Sequence, residues 1–303
     1  MKVFLLALLL AIASQAFAQT LDDEQGSSVD RIMLNFSFDE DNKLHPDIYL
    51  PFAWNEELSA AFSFRTTADY EKGKVLNVAN SAKDTEINYS FINIYPILWK
   101  SDGDTFGLDI GIVDIERTET GFFTDIGGTF NFTHDLTIQS IKPSFFYRFN
   151  QLKDKDNGVL YGLSISPFSN LSVTQSTVFS GALNQTGSAD GDAESSLSLR
   201  FELNGRYKLP SGMQSYYDFQ YEYLPMEYTL AVLDGSGSFN SQAFDVVEHI
   251  FKAGYKIKFN KKIFYGLKPV LGLSYERTNG SDNNSNIEDY SYERYLIVFG
   301  IEG

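Results

Sequence analysis

The chain has no cysteine. That excludes disulfide staples, thiolate metal sites and a cysteine nucleophile, so the fold has only its backbone ladder and its packing to hold it together. Proline is scarce, 8 in 303 residues, and no proline- or serine-rich stretch divides the chain into two domains. Basic residues are also in deficit. With 24 Lys and Arg against 40 Asp and Glu the formal net charge is −16, which excludes nucleic acid as a partner because phosphate binding needs a basic face. Finally, beyond residue 18 no apolar run approaches the roughly 20 residues that a helix needs to cross a bilayer.

What is abundant suits strands. Aromatics make up 15% of the chain, with 18 Tyr and 26 Phe, and glycine is frequent at 23. The mean hydropathy of −0.21 is too polar for a helical membrane protein and compatible with strands whose two faces differ. The first residues form an export signal: Lys2, an apolar run from Val3 to Ala13, and the small-x-small site Ala16-Phe17-Ala18. Cleavage is expected after Ala18, which leaves residues 19–30 as an N-terminal periplasmic segment and residues 31–303 as one all-β domain.

Alternation of period two recurs along that domain. Between 158 and 166, Val159, Tyr161, Leu163 and Ile165 share one face, and glycines and serines take the other with Leu160 out of pattern. Between 196 and 207, Leu197, Leu199, Phe201, Leu203 and Tyr207 alternate with Ser196, Ser198, Arg200, Glu202, Asn204 and Arg206. The same reading places strands near 31–38, 46–53, 58–66, 86–99, 105–115, 138–149, 158–167, 195–208, 213–224, 247–259, 263–275 and 290–301. This is about twelve strands, within a range of 10 to 14. Short turns alternate with long segments around 67–85, 116–137, 168–194, 225–246 and 276–289. That rhythm is expected of a closed antiparallel transmembrane barrel with short periplasmic turns and long external loops.

Period two does not say which face is inside. Two features do. Aromatic residues gather towards strand ends, as with Tyr95 and Trp99, Tyr147 and Phe149, Tyr255 and Phe259, Tyr265 and Tyr275, as an interfacial girdle requires. The polar face is too charged for a dry core: it carries Arg65, Asp109, Lys142, Arg148, Arg200 and Glu202, then Arg206, Asp218, Glu222, Lys252, Lys256 and Lys268. Each unpaired ion buried among apolar neighbours costs several kcal/mol, so these twelve are the candidates for a watered or mutually paired lumen and its constriction. A register that keeps wet faces together brings Arg200 near Glu222 or Gln220, and Glu202 near Asp218 or Gln220.

The segments Phe106-Gly107-Leu108-Asp109-Ile110-Gly111-Ile112, Tyr161-Gly162-Leu163-Ser164-Ile165 and Tyr265-Gly266-Leu267-Lys268-Pro269 resemble the aromatic-glycine-aliphatic strands of Gram-negative outer-membrane β-barrel proteins, porin-like, with about twelve strands. The resemblance covers residues 31–303 as a pattern. The end, Tyr295-Leu296-Ile297-Val298-Phe299-Gly300-Ile301, is similar to the terminal strand that the barrel assembly machinery recognises, with Phe299 in place of a final aromatic because the chain runs on to Ile301-Glu302-Gly303. The resemblance implies the bacterial outer membrane as location, with its lipid and lipopolysaccharide, the assembly machinery and small solutes as partners. The expected function is a channel for passive passage of small solutes through a charged lumen. The alternative is a closed barrel acting through external loops as an enzyme, adhesin or assembly component.

A phospholipase-like enzyme of twelve strands needs a His beside a Ser on one strand. The only histidines are His45, His134 and His249, and none has a Ser one or two places away. No Walker loop, dinucleotide fingerprint, EF-hand or zinc spacing is present. No catalytic group, cofactor or metal site is therefore assigned. Three acidic runs, 190–194, 234–238 and 282–289, offer hard oxygen donors for a loop-bound Ca²⁺ or Mg²⁺, and are also ordinary turn-forming sequence.

Overall fold

The computed structural model describes residues 32–39, 43–55, 57–73, 80–101, 104–125, 127–152, 157–182, 184–195, 197–233, 239–263, 267–284 and 289–302. The export signal and residues 19–30 lie outside them. The strands are β1 (Met33–Phe38), β2 (Leu44–Ala53), β3 (Leu58–Gly73), β4 (Ser81–Ser101), β5 (Asp104–Asp125), β6 (Gly128–Leu152), β7 (Gly158–Ser166), β8 (Ser169–Gly181), β9 (Gln185–Ser195), β10 (Ser198–Lys208), β11 (Gln214–Leu233), β12 (Phe239–Lys258), β13 (Lys268–Asp282) and β14 (Tyr290–Glu302). All pairings are antiparallel, and β1 closes on β14 from Met33↔Glu302 to Phe38↔Ile297.

The fourteen segments make a twelve-stranded closed barrel. β7 and β8 are one strand interrupted at Pro167-Phe168: both pair with β6, and six residues from Ile165 to Asn170 answer five from Phe145 to Ile141. β9 and β10 continue opposite them without a slip, Ser169↔Ser195 and Ser166↔Ser198. Proline cannot donate to a ladder, so the interruption is a bulge at the residue that has no N–H to lose.

One end, the base, holds the start of β1 and the finish of β14. The other, the crown, is far taller than expected. The segments read as long external loops are mostly strand: β5 and β6 run on to Asp125 and from Gly128, and β11 and β12 pair up to Leu233↔Phe239. The reason is a change in which face is apolar. On β5 the outward positions Phe106, Leu108, Ile110 and Ile112 are apolar, but further up they become Asp114, Glu116 and Thr118, while the inward Val113 and Ile115 are buried. β6 does the same, from outward Ile141, Phe145 and Tyr147 to inward Leu136 and Ile138. β11 passes from outward Tyr217 and Phe219 to inward Leu224, Met226, Tyr228 and Leu230. The lower barrel is apolar outside and polar inside; the crown has the sense of a water-soluble barrel.

A second irregularity moves an aromatic. β4 carries a bulge between Ile94 and Ile97, at Pro96, which shifts the parity of the residues beyond it. Trp99 faces outward as the girdle requires, whereas Tyr95 is buried inside against Phe146, ring centroids 5.8 Å apart. Tyr147, Phe149, Tyr255 and Phe259 are outward and exposed, and Tyr265 lies outside the described residues. The strand expected from 263 begins at Lys268, because Ile263 N–H donates to the Leu267 carbonyl and closes a small loop of its own.

The β1–β2 hairpin stops low. Its highest pairs are Phe38↔Ile297 with β14 and Asp47↔Arg65 with β3, so β14 and β3 flank a gap above it. Arg294 spans that gap, donating to Glu276 at 3.1 Å and to the Ala68 carbonyl. Higher in the crown, Lys83 and Arg117 meet Glu119 at 3.0 and 2.5 Å. Burial opposes ionisation of Glu119, but the two cations hold its carboxyl down to about 2.

Candidate functional site

Inward positions of the belt level surround a cavity of about 260 Å³. Its walls include Arg65, Lys142, Arg148, Arg200, Arg206, Lys252 and Lys256 among cations, and Asp47, Glu202, Asp218, Glu222 and Glu302 among carboxylates. Ten of the twelve lumen candidates line it. Asp109 is buried behind Arg200, and Lys268 stands outside the chamber at the base, opposite Glu302 in register. Periodicity put all twelve on one face; only closure of the barrel decided which of them surround open space.

The register expected across the β10–β11 turn is present, Arg200↔Glu222 and Glu202↔Gln220. The ion pairs are set differently, because long side chains reach across the lumen. Arg200 Nη2 meets Asp109 Oδ2 of β5 at 2.9 Å and its Nε lies 3.2 Å from Glu202 Oε1. Glu202 Oε2 accepts from Arg148 at 2.9 Å, and Lys142 of β6 reaches Glu222 of β11 at 2.5 Å. These pairs form one wall. The other wall, from β2, β3, β12 and β13 with Asp218 of β11, is loose: Lys252 stands 3.5 Å from Glu276 and 3.7 Å from Asp47, Arg65 is 3.9 Å from Glu276, and Lys256 is 3.9 Å from Asp218. Asp47 and Glu276 are not among the lumen candidates: Asp47 lies at the start of the expected strand 46–53, which Pro51 interrupts, and Glu276 begins the segment 276–289, expected as an external loop. Tyr49 and Tyr95 add an aromatic side to the chamber, 6.4 Å apart and edge to face.

Above the chamber the inside turns apolar. Ile87, Tyr89 and Phe91 of β4, Val113 and Ile115 of β5, Leu136 and Ile138 of β6, Leu171 and Val173 of β8, four residues of β11, Phe244 and Val246 of β12 and Tyr292 of β14 form one buried cluster. The cluster is made of side chains from the wall itself. Glu248 is the carboxylate at its edge, accepting from Tyr290 O–H at 2.6 Å.

Among the described residues none of the three histidine rings bonds a serine hydroxyl. His45, expected at a turn, is buried on β2, its Nε2 2.8 Å from Asp39, and the cross-strand Ser37 Oγ donates to the His45 carbonyl rather than to its ring. His134 is on β6 in the crown and bonds Thr177, where burial pushes its pKa down; His249 faces outward against Tyr221 O–H at 2.9 Å. Among the described residues no group of three or more His, Asp or Glu is placed to hold a metal ion. Of the acidic runs, 190–194 lies on β9 with its side chains outside the description, 234–238 lies outside the described residues, and Asp282 accepts from the N–H groups of Asp245 and Asn284.

No family model matches the chain, and no curated protein does. Among solved structures, it is similar to the Pseudomonas putida toluene transporter TodX at 9% identity and a TM-score of 0.45, over 90% of this chain and 88% of that one. It is similar to the monoaromatic hydrocarbon channel CymD at 9% identity and a TM-score of 0.40, over 96% and 91%. OmpT, an outer-membrane protein of Vibrio cholerae, follows at 8% and 0.22, over 90% and 96%.

Proposed function

We propose that this chain is an outer-membrane barrel that passes small polar solutes through its charged chamber, with the apolar seal closing the crown end at rest. The observation that carries the reading is the chamber itself: about 260 Å³ of space, ringed by ions, inside a barrel whose outer surface at the same level is apolar. Such a belt suits a hydrocarbon layer, and each Leu- or Phe-sized side chain it removes from water contributes about 1.5–3 kcal/mol. In this reading the base with its short turns lies in the periplasm and the crown stands in the external medium, an orientation that the short turns at one end and the long segments at the other support. The acid-rich crown then faces lipopolysaccharide.

A seal of side chains opens by rotamer change, whereas a plug of backbone would have to unfold. Planar-bilayer conductance tests this. The wild-type barrel is expected to be mostly silent, and Met226→Gly with Tyr228→Ala to raise conductance several-fold. A double variant that folds, judged by a heat-dependent shift in gel mobility, and stays as silent as wild type would sink the passage.

A further inference from the structure

The two walls of the chamber differ in how their charges are used. On the Arg200 side every pair is within 2.5 to 3.2 Å, whereas Arg65, Lys252 and Lys256 reach their carboxylates only at 3.5 to 3.9 Å. An ammonium carries three donors and a guanidinium five, so one or two contacts at that range leave donors over, and all three side chains line the cavity. Lys252 and Arg65 converge on one oxygen, Glu276 Oε1, whose partner oxygen Oε2 already accepts from Arg294 and Thr67. Lys256 sits four residues from Lys252 on the same inward face of β12. Arg65 is steadied by Phe91, its guanidinium 4.6 Å over the ring. The three side chains are only about 15% exposed, so little bulk water competes for them.

We propose that the chamber binds a small organic anion, its carboxylate held by Arg65, Lys252 and Lys256 and its body against Tyr49 and Tyr95. Charge-assisted bonds to a planar carboxylate suit one guanidinium flanked by two ammonium groups, and the two rings give an apolar body a surface to lie on. The tight wall opposite supplies no competing free carboxylate, because Glu202 and Glu222 are each taken by a cation within 2.9 Å. This site names the solute class for the passage proposed above and rests on the same chamber.

Calorimetric titration of the full-chain barrel in detergent, with benzoate as the probe and neutral benzamide as its isostere, tests the site without any flux. Benzoate is expected to bind saturably and to weaken as salt is raised, and benzamide to bind at least about tenfold more weakly. Lys252→Met and Lys256→Gln should each weaken benzoate about tenfold or more. If one variant loses its heat-dependent gel shift, the other and the wild-type salt dependence still decide. Equal affinity for benzoate and benzamide, no saturable benzoate binding, or folded variants that bind as wild type does would each overturn the site. A barrel that binds benzoate but never conducts refutes the passage and keeps the site; one that conducts and does not bind refutes the site alone.

Discussion

Lys142 and Glu222 show what a single buried pair costs to break. They meet at 2.5 Å across the lumen, each with only 8% of its side chain exposed. Lys142→Met leaves Glu222 charged in a place with little water, and removal of one partner of such a pair costs about 3–5 kcal/mol. Guanidinium unfolding of the barrel is expected to show a loss of that size, and Glu222→Leu added in the same background to restore most of it. If the single substitution were neutral, the carboxylate would have water or another cation to turn to. The neighbouring residues are legible to different degrees. The inward parity of Lys142, Arg200 and Glu202 is plain in the alternation, whereas the Arg200–Asp109 bond joins residues 91 positions apart and exists only because the barrel closes.

Three departures from regularity among the described strands each have a local cause. Pro167 and Pro96 sit where a ladder bond is already lost, and both bulges shift the residues beyond them. The third is a glycine: at Gly280 of β13 a Cβ would run into the ring of Tyr290, its register partner on β14. The ring lies where a side chain would otherwise be, and its hydroxyl is then in reach of Glu248. Gly280→Val is expected to push Tyr290 away and leave Glu248 without its donor, at an overpacking cost of about 1–3 kcal/mol. A lowered guanidinium midpoint at unchanged gel mobility would match; an unchanged midpoint would mean that Tyr290 has another place to go. Proline is visible in a sequence as a point of weakness, but whether it produces a bulge, a turn or a strand end depends on the strand beside it.

At the scale of the molecule, belt and crown are two barrels of opposite sense stacked on one axis. The belt should fold without the upper crown. Above Gln175, β8 and β9 pair with each other and β8 with β6, while Gln175 itself replaces a missing strand contact by bonding both the N–H and the carbonyl of Ala231. Replacing residues 176–188 by an Asn-Gly turn therefore keeps every belt pairing. The trimmed protein is expected to insert into detergent and to retain its heat-dependent gel shift. A trimmed chain without the shift would show that the crown is needed for closure.

By itself the sequence determined the twelve strands, their antiparallel order, the outward greasy face of the belt and the inward charges, because period two and turn chemistry are local properties. It also held the sign of the crown, in the switch from outward Ile110 and Ile112 to inward Val113 and Ile115, but the same residues read as the end of a strand until the partner strands show the pattern repeated. Only the tertiary structure decided that an apolar cluster of the wall's own side chains lies above the chamber, that Tyr95 lies inside, and that one wall of the chamber is tightly paired and the other loose. Those facts depend on which residues face each other across the barrel, and that distance is set by closure and register, which no stretch of one strand contains.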